Sequence, residues 1–393
     1  MVLLVPDANL DGKCYKLLFN FAIVSALLQG STANTENSAA FLNKGLVICQ
    51  NYYMLIFKND NAVNLAAANK CSAIKQRPAV RAISIKCNKV DRMNTARNAD
   101  AELYLGIDGG GSKCRVVIVS AGQQVLGEGL SGPANPLRGL KIATDSILAA
   151  TQQALSCAGL AFSDMSRLVA GAGLAGINVP QYFQLLSDWQ HPFKALHLTT
   201  DLHIACMGAH QGQDGAVIIV GTGSCGLASV QGELTEVGGH GFPYGDNGSG
   251  AWFGMQLVHK VLLSLDQLAE PTLLTTLLLQ ELAQTDAIGI VSHFMHATPT
   301  TYAKYAPLVF IAAEQGDATA QQLIAQGADF ISAIARRLLS QQPPRLSFIG
   351  GLAHKLLPYL PQDIQQQVTP ALDAPEIGAV WFARQRSQRF SIS

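Results

Sequence analysis

The chain has 393 residues, of which 49% are hydrophobic and 14% are charged, and its formal net charge is zero. This length suits two domains of ordinary size, and the apolar composition indicates a compact globular enzyme with a large core. The balanced charge argues against a nucleic acid or another polyanion as a partner.

Residues 1–100 differ from the rest, because they carry twelve Lys and Arg against six Asp and Glu and show no glycine-punctuated strands. The apolar run at 17–28 resembles a short signal-peptide core, but it is too short to span a bilayer comfortably. Asp7 and Asp11 also interrupt the basic region before it. We expect a disordered or accidental extension, with Met93 as the better start. A secreted protein and an accessory domain are the alternatives.

A regular pattern begins with LYLGID. This segment and CRVVIVS predict two strands joined by Gly109–Gly111, and GQQVLGEG predicts a third strand of the same meander. Residues 140–159 have apolar positions at helical spacing and end on glycine, so they predict a helix. Residues 167–176 predict a further strand followed by a turn of small residues.

The segment ALHLTT predicts a strand that ends at Thr200, before a helix from about Leu202. GAVIIVGTGSCGLASV, at 215–230, then repeats the pattern of strand, glycine turn and strand. This self-similarity indicates a duplicated α/β domain whose two glycine turns face each other across a cleft. Farther on, we expect a long helix from about Ser249 and a strand, glycine turn and helix at 345–360.

The first glycine turn, GIDGGGSK, predicts a phosphate held against backbone N–H groups that no side chain obstructs. A P-loop or a Rossmann turn must lead into a helix, whereas this turn leads into residues of β composition. A β-hairpin phosphate site therefore remains, with Asp108 placed to suit a hydrated magnesium ion. An ordinary glycine-rich hairpin is the alternative.

Five motifs occur in the order GIDGGGSK, TTDLHIA, IIVGTGSCG, GGHGFPYGDNGSG and FIGGLAHK. Together they resemble the sugar-kinase, Hsp70 and actin superfamily. Within it they are most similar to the N-acetylglucosamine kinase and glucosamine kinase group of the BadF/BadG/BcrA/BcrD ATPases, over residues 103–386. The resemblance implies an α/β fold of duplicated actin-like (ribonuclease H-like) domains facing a central cleft. The lobes would span 101–213 and 214–372, with a C-terminal helix at 373–393 that packs back on the first lobe.

The resemblance also implies ATP and Mg²⁺ as cofactors and a role for each motif. Asp108 would position the magnesium ion. The nucleotide would be bound by Gly110, Gly111, Ser112, Lys113, Thr222, Gly223, Gly350 and Gly351. The sugar would be contacted by Asn135, Ser224, Cys225, Gly239, His240 and Asp246. Ordinary turn roles are the alternatives for Asn135, Asp246, Gly350 and Gly351.

Asp201 is the candidate general base. It follows the strand ALHLTT, at the edge where α/β sheets place their chemistry. Phosphoryl transfer to a sugar hydroxyl requires an acceptor for the proton and close positioning of the reactants. A helix N-cap is the alternative role for Asp201.

Three positions depart from the family pattern, and all three fall in the sugar pocket. Asn247 stands where relatives often carry an acidic residue, Cys225 where animal relatives have asparagine, and His240 where they have tryptophan. An N-acetyl group needs partners for its amide N–H and C=O, whereas the ammonium of glucosamine needs a carboxylate or open water. The only acidic residue of loop 238–246 is Asp246, which is assigned to sugar hydroxyls. We therefore expect phosphorylation of N-acetylglucosamine at O6, with glucosamine as the alternative.

Two other functions are alternatives for the same residues. A BadF-type ATP-dependent activator needs cysteines for an iron–sulfur cluster between subunits, and Cys114, Cys157, Cys206 and Cys225 are scattered. A sugar-sensing regulator needs a DNA-binding helix pair, for which the basic N-terminal residues are the only support. The eight cysteines include no C-x-x-C pair, which is typical of a reduced, cytoplasmic protein. We expect a small-molecule amino sugar as the partner and no membrane partner. Whether the protein forms a homodimer is left open.

Overall fold

The computed structural model describes residues 102–390 and, nearer the N-terminus, four short strands. The chain divides into two compact units, Met1–Ile83 and Ser84–Ser393. In the first unit the strands pair as two antiparallel ladders, β1 (Leu3–Pro6) with β2 (Tyr15–Leu18) and β3 (Lys58–Asn59) with β4 (Ala62–Val63). The rest of the expected extension, Met93 included, lies outside the described residues, and the extension therefore stays a prediction.

The second unit begins with a five-stranded sheet of order β7-β6-β5-β8-β9. Its strands are β5 (Leu103–Gly109), β6 (Cys114–Ser120), β7 (Val125–Ser131), β8 (Leu168–Leu174) and β9 (Ala195–Thr199). The first three form an antiparallel meander, and β8 and β9 run parallel to β5. The strands and the glycine turn that the sequence predicts here are confirmed.

A second, four-stranded sheet has the order β12-β11-β10-β13. Its strands are β10 (Gly215–Val220), β11 (Ser224–Val230), β12 (Glu233–Gly238) and β13 (Leu346–Ile349). Again three strands form an antiparallel meander, and a fourth runs parallel beside the first of them. Both sheets therefore share one design, as the repeated sequence motif predicts.

Helices connect and cover the strands. They are α1 (Leu140–Ala158), α2 (Pro180–Ser187), α3 (Asp201–Ala209), α4 (Gly250–Leu265), α5 (Leu273–Leu282), α6 (Ala287–Phe294), α7 (Pro299–Ala303), α8 (Ala306–Glu314), α9 (Ala318–Leu339), α10 (Ala353–Leu356), α11 (Gln362–Gln365) and α12 (Pro375–Phe390). Short 3₁₀ turns occur at Pro136–Arg138, Phe162–Arg167 and Leu357–Tyr359. No helix in the described part of the chain has the length and apolar character needed to cross a bilayer.

The C-terminal helix α12 lies directly on one face of the five-stranded sheet. A Cβ atom on Gly106 would overlap the backbone oxygen of Glu376, and one on Gly171 would overlap that of Ala379. Val380 packs in the same layer as side chains of the sheet and is 3% exposed. Because burial of such a side chain stabilises the fold by about 1.5–3 kcal/mol, the contact fixes the helix on the sheet. The first turn of α12 is thereby held beside β5.

Candidate active site

Helix α3 contacts both sheets. Ile204 fills the space beside Gly173 of β8, where an added Cβ atom would overlap it. Leu202 and Cys206, on another side of the helix, pack in one cluster with residues of β10 and β11. The N-terminus of α3 therefore lies where the two sheets approach each other.

Asp201 is the first residue of α3. Thr200 is the N-cap, since its Oγ1 accepts a hydrogen bond from the His203 N–H at 3.1 Å, so the alternative of Asp201 as the cap is wrong. Asp201 Oδ1 accepts from the Leu202 N–H at 2.9 Å. Burial raises the pKa of Asp201 above the usual range of an aspartate. A carboxylate that is poorly solvated and fixed at a strand end has the properties of a general base.

The charge of Asp201 acts on both halves of the molecule. It contributes to the raised pKa of Asp108 in the first sheet and to that of Cys225 in the second. The three side chains come from three separate segments of the sequence. The structure thus gathers the predicted base, the predicted magnesium residue and part of the predicted sugar pocket at one site.

The first glycine turn is an open loop after β5. The Gly110 N–H donates to the Lys113 carbonyl at 2.9 Å, and the Gly110 carbonyl accepts from the Ala134 N–H at 3.0 Å. A Cβ atom on Gly111 would meet no heavy atom within 4 Å. The side chains of Ser112 and Lys113 are exposed. The turn therefore offers backbone and open space of the kind that phosphate groups occupy.

Asp108 is half-buried at the end of β5. Burial, with the negative charges of Glu376 and Asp201, raises the pKa of Asp108 to about 6, although Lys113 and Arg115 act in the opposite direction. Arg115 lies opposite Asp108 in the ladder, and its Nη1 is 3.4 Å from Glu376 Oε1. The region around Asp108 therefore concentrates negative charge that a divalent cation would neutralise.

Magnesium fits this donor set. Carboxylate oxygens are hard ligands, and Mg²⁺ in proteins often keeps several waters and shares its remaining positions with substrate phosphates. Among the described residues, no three His, Cys, Asp or Glu groups come close enough together to hold a metal ion by themselves. A site of one or two carboxylates completed by phosphate and water is consistent with both facts, and Asp108 would hold the ion.

The second glycine turn joins β10 to β11 and is packed against the start of α4. The Gly221 N–H donates to the Gly223 carbonyl at 2.9 Å. The backbone oxygens of Gly221 and Thr222 accept from the N–H groups of Gly250 and Ala251 at 2.8 and 3.1 Å. The positive end of the α4 dipole is thus directed at the turn, which favours an anionic ligand there.

Asp246 links the GDNGSG loop to this second turn. Its Oδ1 accepts from the Ser224 N–H at 3.4 Å, and Ser224 Oγ donates to the Asn247 carbonyl at 2.8 Å. Its Oδ2 would lie 2.9 Å from a Cβ atom on Gly223. Burial raises the pKa of Asp246, while the nearby His240 lowers it. Asp246, Ser224 and Gly223 therefore form one connected group.

Cys225 lies between Asp201 and the loop that contains Gly239. Burial and the negative charges of Asp201, Asp246 and Glu236 raise the pKa of the Cys225 thiol to about 12, so it is neutral at physiological pH. A Cβ atom on Gly239 would be 3.2 Å from Cys225 Cβ. The predicted sugar residues of the second sheet therefore come together.

Asn135 has a local role in the described contacts. Its Oδ1 accepts from the Leu137 N–H at 2.8 Å and caps the 3₁₀ turn that begins at Pro136. It also lies beside Gly176, where an added Cβ atom would be 2.9 Å from Asn135 Oδ1. The turn role is therefore present, and within the described contacts nothing joins Asn135 to the group around Asp246. Its sugar contact stays a prediction.

Gly350 and Gly351 differ in what their positions require. Gly350 has a φ of 104°, and an added Cβ atom would overlap the Val220 backbone oxygen. Gly351 is exposed, with no heavy atom within 4 Å of an added Cβ. The tight turn therefore explains Gly350, whereas open space that a ligand could use is found at Gly351.

Two acidic residues near the site were not predicted, Glu236 on β12 and Glu376 on α12. Glu236 influences the thiol of Cys225, and Glu376 influences Asp108. The sequence contains a signal for Arg115, because the register of the first hairpin places it opposite Asp108. It contains none for Glu376, since an acidic residue in the first turn of a helix is ordinary on any surface helix.

The paired sheets, the two glycine turns and the helix N-terminus between them define a duplicated actin-like ATPase fold. The chain belongs to the BadF/BadG/BcrA/BcrD ATPase family, whose sequence profile matches residues 105–383. The family and the fold class that the motifs predict are thus confirmed.

Several relatives are named kinases. Glucosamine kinase GspK of Vibrio cholerae is 36% identical over 281 residues, which cover 71% of this chain and 95% of that protein. An N-acetyl-D-glucosamine kinase of Dictyostelium discoideum is 27% identical over 259 residues, covering 60% of this chain and 80% of that protein. The crystal structure of a protein from Chromobacterium violaceum, provisionally assigned as an N-acetylglucosamine kinase, has a TM-score of 0.68 at 30% identity, covering 72% of this chain and 99% of that one. The chain is an ATP-dependent phosphotransferase.

Proposed function

We propose that this enzyme transfers the γ-phosphoryl group of ATP to O6 of an amino sugar, with N-acetylglucosamine as the first candidate and glucosamine as the second. The position of Asp201 carries the proposal, because it begins a helix that packs on Gly173 of the first sheet and on β10 and β11 of the second. Its charge accordingly acts on both Asp108 and Cys225. The kinase relatives from Vibrio cholerae and Dictyostelium discoideum support the amino-sugar class.

Each group has a defined task in this transfer. Asp201 accepts the proton of the attacking sugar hydroxyl. The backbone of the two glycine turns positions the phosphates, and Asp108 would hold magnesium, which would neutralise phosphate charge. Closure of the two lobes excludes water that would otherwise take the phosphoryl group.

The uncharged thiol of Cys225 favours the N-acetyl sugar. A thiol with a pKa of about 12 is an uncharged, small side chain beside which an acetamide methyl group can pack. An added Cβ atom on Gly241 would meet nothing within 4 Å, so the adjoining loop leaves room. Backbone groups of Gly239 and Gly241, with His240, are the candidate partners of the acetamide.

Glucosamine is favoured by a different observation. Glu236 is exposed on β12 and close enough to Cys225 to influence its thiol, so a carboxylate outside loop 238–246 is available to an ammonium group. The 36% identity to the Vibrio cholerae glucosamine kinase supports the same candidate. The two sugars are therefore distinguished by whether Glu236 contributes to binding.

The test measures kcat/KM for both sugars at one pH by ADP release, with the phosphorylated oxygen located by NMR. For an N-acetylglucosamine kinase, Glu236→Gln changes kcat/KM by less than about twofold, since no charge on the sugar needs pairing. For a glucosamine kinase, the same variant lowers kcat/KM by about fivefold through loss of an exposed ion pair. Glu233→Gln is the matched control, because Glu233 is exposed on the same strand and three positions away, on the opposite face.

Either sugar preference preserves the kinase proposal, whereas an absence of sugar-dependent ADP release with both sugars contradicts it.

The activator alternative receives no support from Cys114 and Cys206, which are 0% and 1% exposed and could not reach a cluster at a subunit surface. We place the enzyme in the cytoplasm as part of this proposal, because ATP is its substrate. A homodimer is left as a prediction.

A further inference from the structure

Helix α12 places the buried carboxylate of Glu376 near Asp108. Glu376, in its first turn, is 9% exposed. Its position is fixed by the close approach of the helix to β5, since a Cβ atom on Gly106 would overlap the Glu376 backbone oxygen. The side chain is paired with Arg115 at 3.4 Å.

Neither the helix dipole nor the ion pair offsets the desolvation cost of this burial. An acidic residue in the first turn of a helix interacts favourably with the dipole even when it is exposed. The ion pair with Arg115 is long, and the Arg115 side chain is 44% exposed. The pair therefore offsets little of the free energy needed to remove the Glu376 carboxylate from water. Glu376 also lies on the sheet face that carries Asp108, because its backbone covers Gly106, two residues before Asp108 on β5. Its partner Arg115 lies opposite Asp108. The negative charge of Glu376 contributes to the raised pKa of Asp108, since like charges repel. A bound cation would convert that repulsion into attraction.

We propose that Glu376 is a positioning residue of the magnesium site, held by Arg115 and the first turn of α12, and that its charge strengthens cation binding at Asp108. The inference rests on the proposed use of MgATP. Helix α12 would then have two roles, because it packs on the first sheet and also supplies part of the negative charge at the nucleotide site.

The test measures binding of Mn²⁺, as a paramagnetic probe, to the full chain with ADP and without sugar, by electron paramagnetic resonance of the free ion. Glu376→Gln keeps the size of the side chain and removes its charge, and we expect the Kd for Mn²⁺ to rise about tenfold or more. The matched control is Glu102→Gln. Glu102 forms an ion pair with Lys194 at 3.0 Å and lies just before the other end of β5. Its loss should leave the Kd within about twofold.

A structural role for Glu376 gives a different result. If Glu376 only anchors α12 through Arg115, Glu376→Gln lowers the thermal midpoint without metal and leaves the Kd for Mn²⁺ unchanged, which overturns the inference. Glu376→Asp, which retains the charge, should restore most of the affinity and guards against a folding defect in the first variant. Unchanged Mn²⁺ binding in Glu376→Gln overturns this inference alone. A wild-type protein that binds no Mn²⁺ with ADP contradicts both this inference and the proposed use of MgATP.

Discussion

The two glycine turns have similar strands around them but different charged and dipolar groups beside them. The first turn follows Asp108, whose neighbours Asp201 and Glu376 are also carboxylates. The second turn receives the N-terminus of α4, with Gly250 and Ala251 donating to its backbone oxygens. The first turn therefore combines open space for phosphate with a carboxylate suited to a cation, whereas the second has a helix N-terminus that favours an anion.

This difference shows how a duplicated fold can bind one ligand asymmetrically. A magnesium nucleotide carries both kinds of charge, a divalent cation and a polyphosphate. Two identical turns would compete for the same part of it, whereas turns with different neighbouring groups hold different parts. The repeated backbone supplies two loops free of side chains, and residues from other segments determine what each loop binds.

Removal of the base between the turns should have the largest effect. Asp201→Asn keeps the size of the side chain and cannot accept the proton, so kcat should fall by about 10²-fold or more with little change in the Kd for ATP or sugar. The measurements are steady-state kinetics and calorimetric binding. Asp145→Asn is the control, because Asp145 is an exposed partner of Lys141 on α1 and lies outside the site. Turnover near the wild-type value in Asp201→Asn would place the base elsewhere.

The sequence predicts the parts of the fold and site that depend on local pattern. The strand of LYLGID is read from its run of β-forming residues, and Asp108 and Asp201 are found because each lies at a strand end. Local rules do not choose between adjacent capping residues, so Thr200 could not be preferred over Asp201 as the cap. Glu376 could not be found at all, because its approach to Asp108 depends on where α12 packs.

Gly350 and Gly351 form a third glycine turn, after β13, and the structure constrains the two positions differently. Gly350→Ala should lower the free energy of unfolding by about 2 kcal/mol or more, because the residue would be strained at positive φ and would overlap the Val220 oxygen. Gly351→Ala should change it by less than about 0.5 kcal/mol, since the position is open. Urea unfolding of the two variants checks this. Equal losses of stability would show that the turn, and not ligand space, explains both glycines.

A substitution in each turn tests their separate roles. Gly111→Ala places a methyl group in open space, so stability should hold while the KM for MgATP rises about tenfold if phosphates pack there. Gly223→Ala meets the sugar residue Asp246, with Oδ2 at 2.9 Å, and should raise the KM for the sugar as well as the KM for MgATP. Gly122→Ala is the control, since its added Cβ has only Ser120 Oγ within 4 Å, at 3.8 Å, in the turn between β6 and β7. An unchanged KM for MgATP in Gly111→Ala would remove the first turn from the nucleotide site.

The smallest predicted effect lies in the helices behind the turns and depends on pH. His203 of α3 accepts or donates a hydrogen bond with Thr199 Oγ1 at 2.8 Å and packs against the Phe382 ring. Burial, with a smaller contribution from the positive charge of Arg386, lowers the pKa of His203 from 6.5 to about 4. Asp214 lines the same cavity as His203. Because of its lowered pKa, His203 is neutral in the folded protein between about pH 4 and 6.5, where it is charged in the unfolded chain.

The direction of this pH dependence follows from the linkage between protonation of His203 and folding. A histidine with a lowered folded pKa contributes stability that is present above pH 6.5 and is lost as the pH falls toward 4. Between pH 8 and 5.5 the wild-type protein should lose about 1 kcal/mol more than His203→Gln, measured by urea unfolding at each pH. His259→Gln is the control and should follow the wild-type curve, because it removes an exposed histidine of α4 and leaves the buried His203 in place. Parallel curves for wild type and His203→Gln would mean that His203 takes up its proton in the folded state as readily as in the unfolded chain.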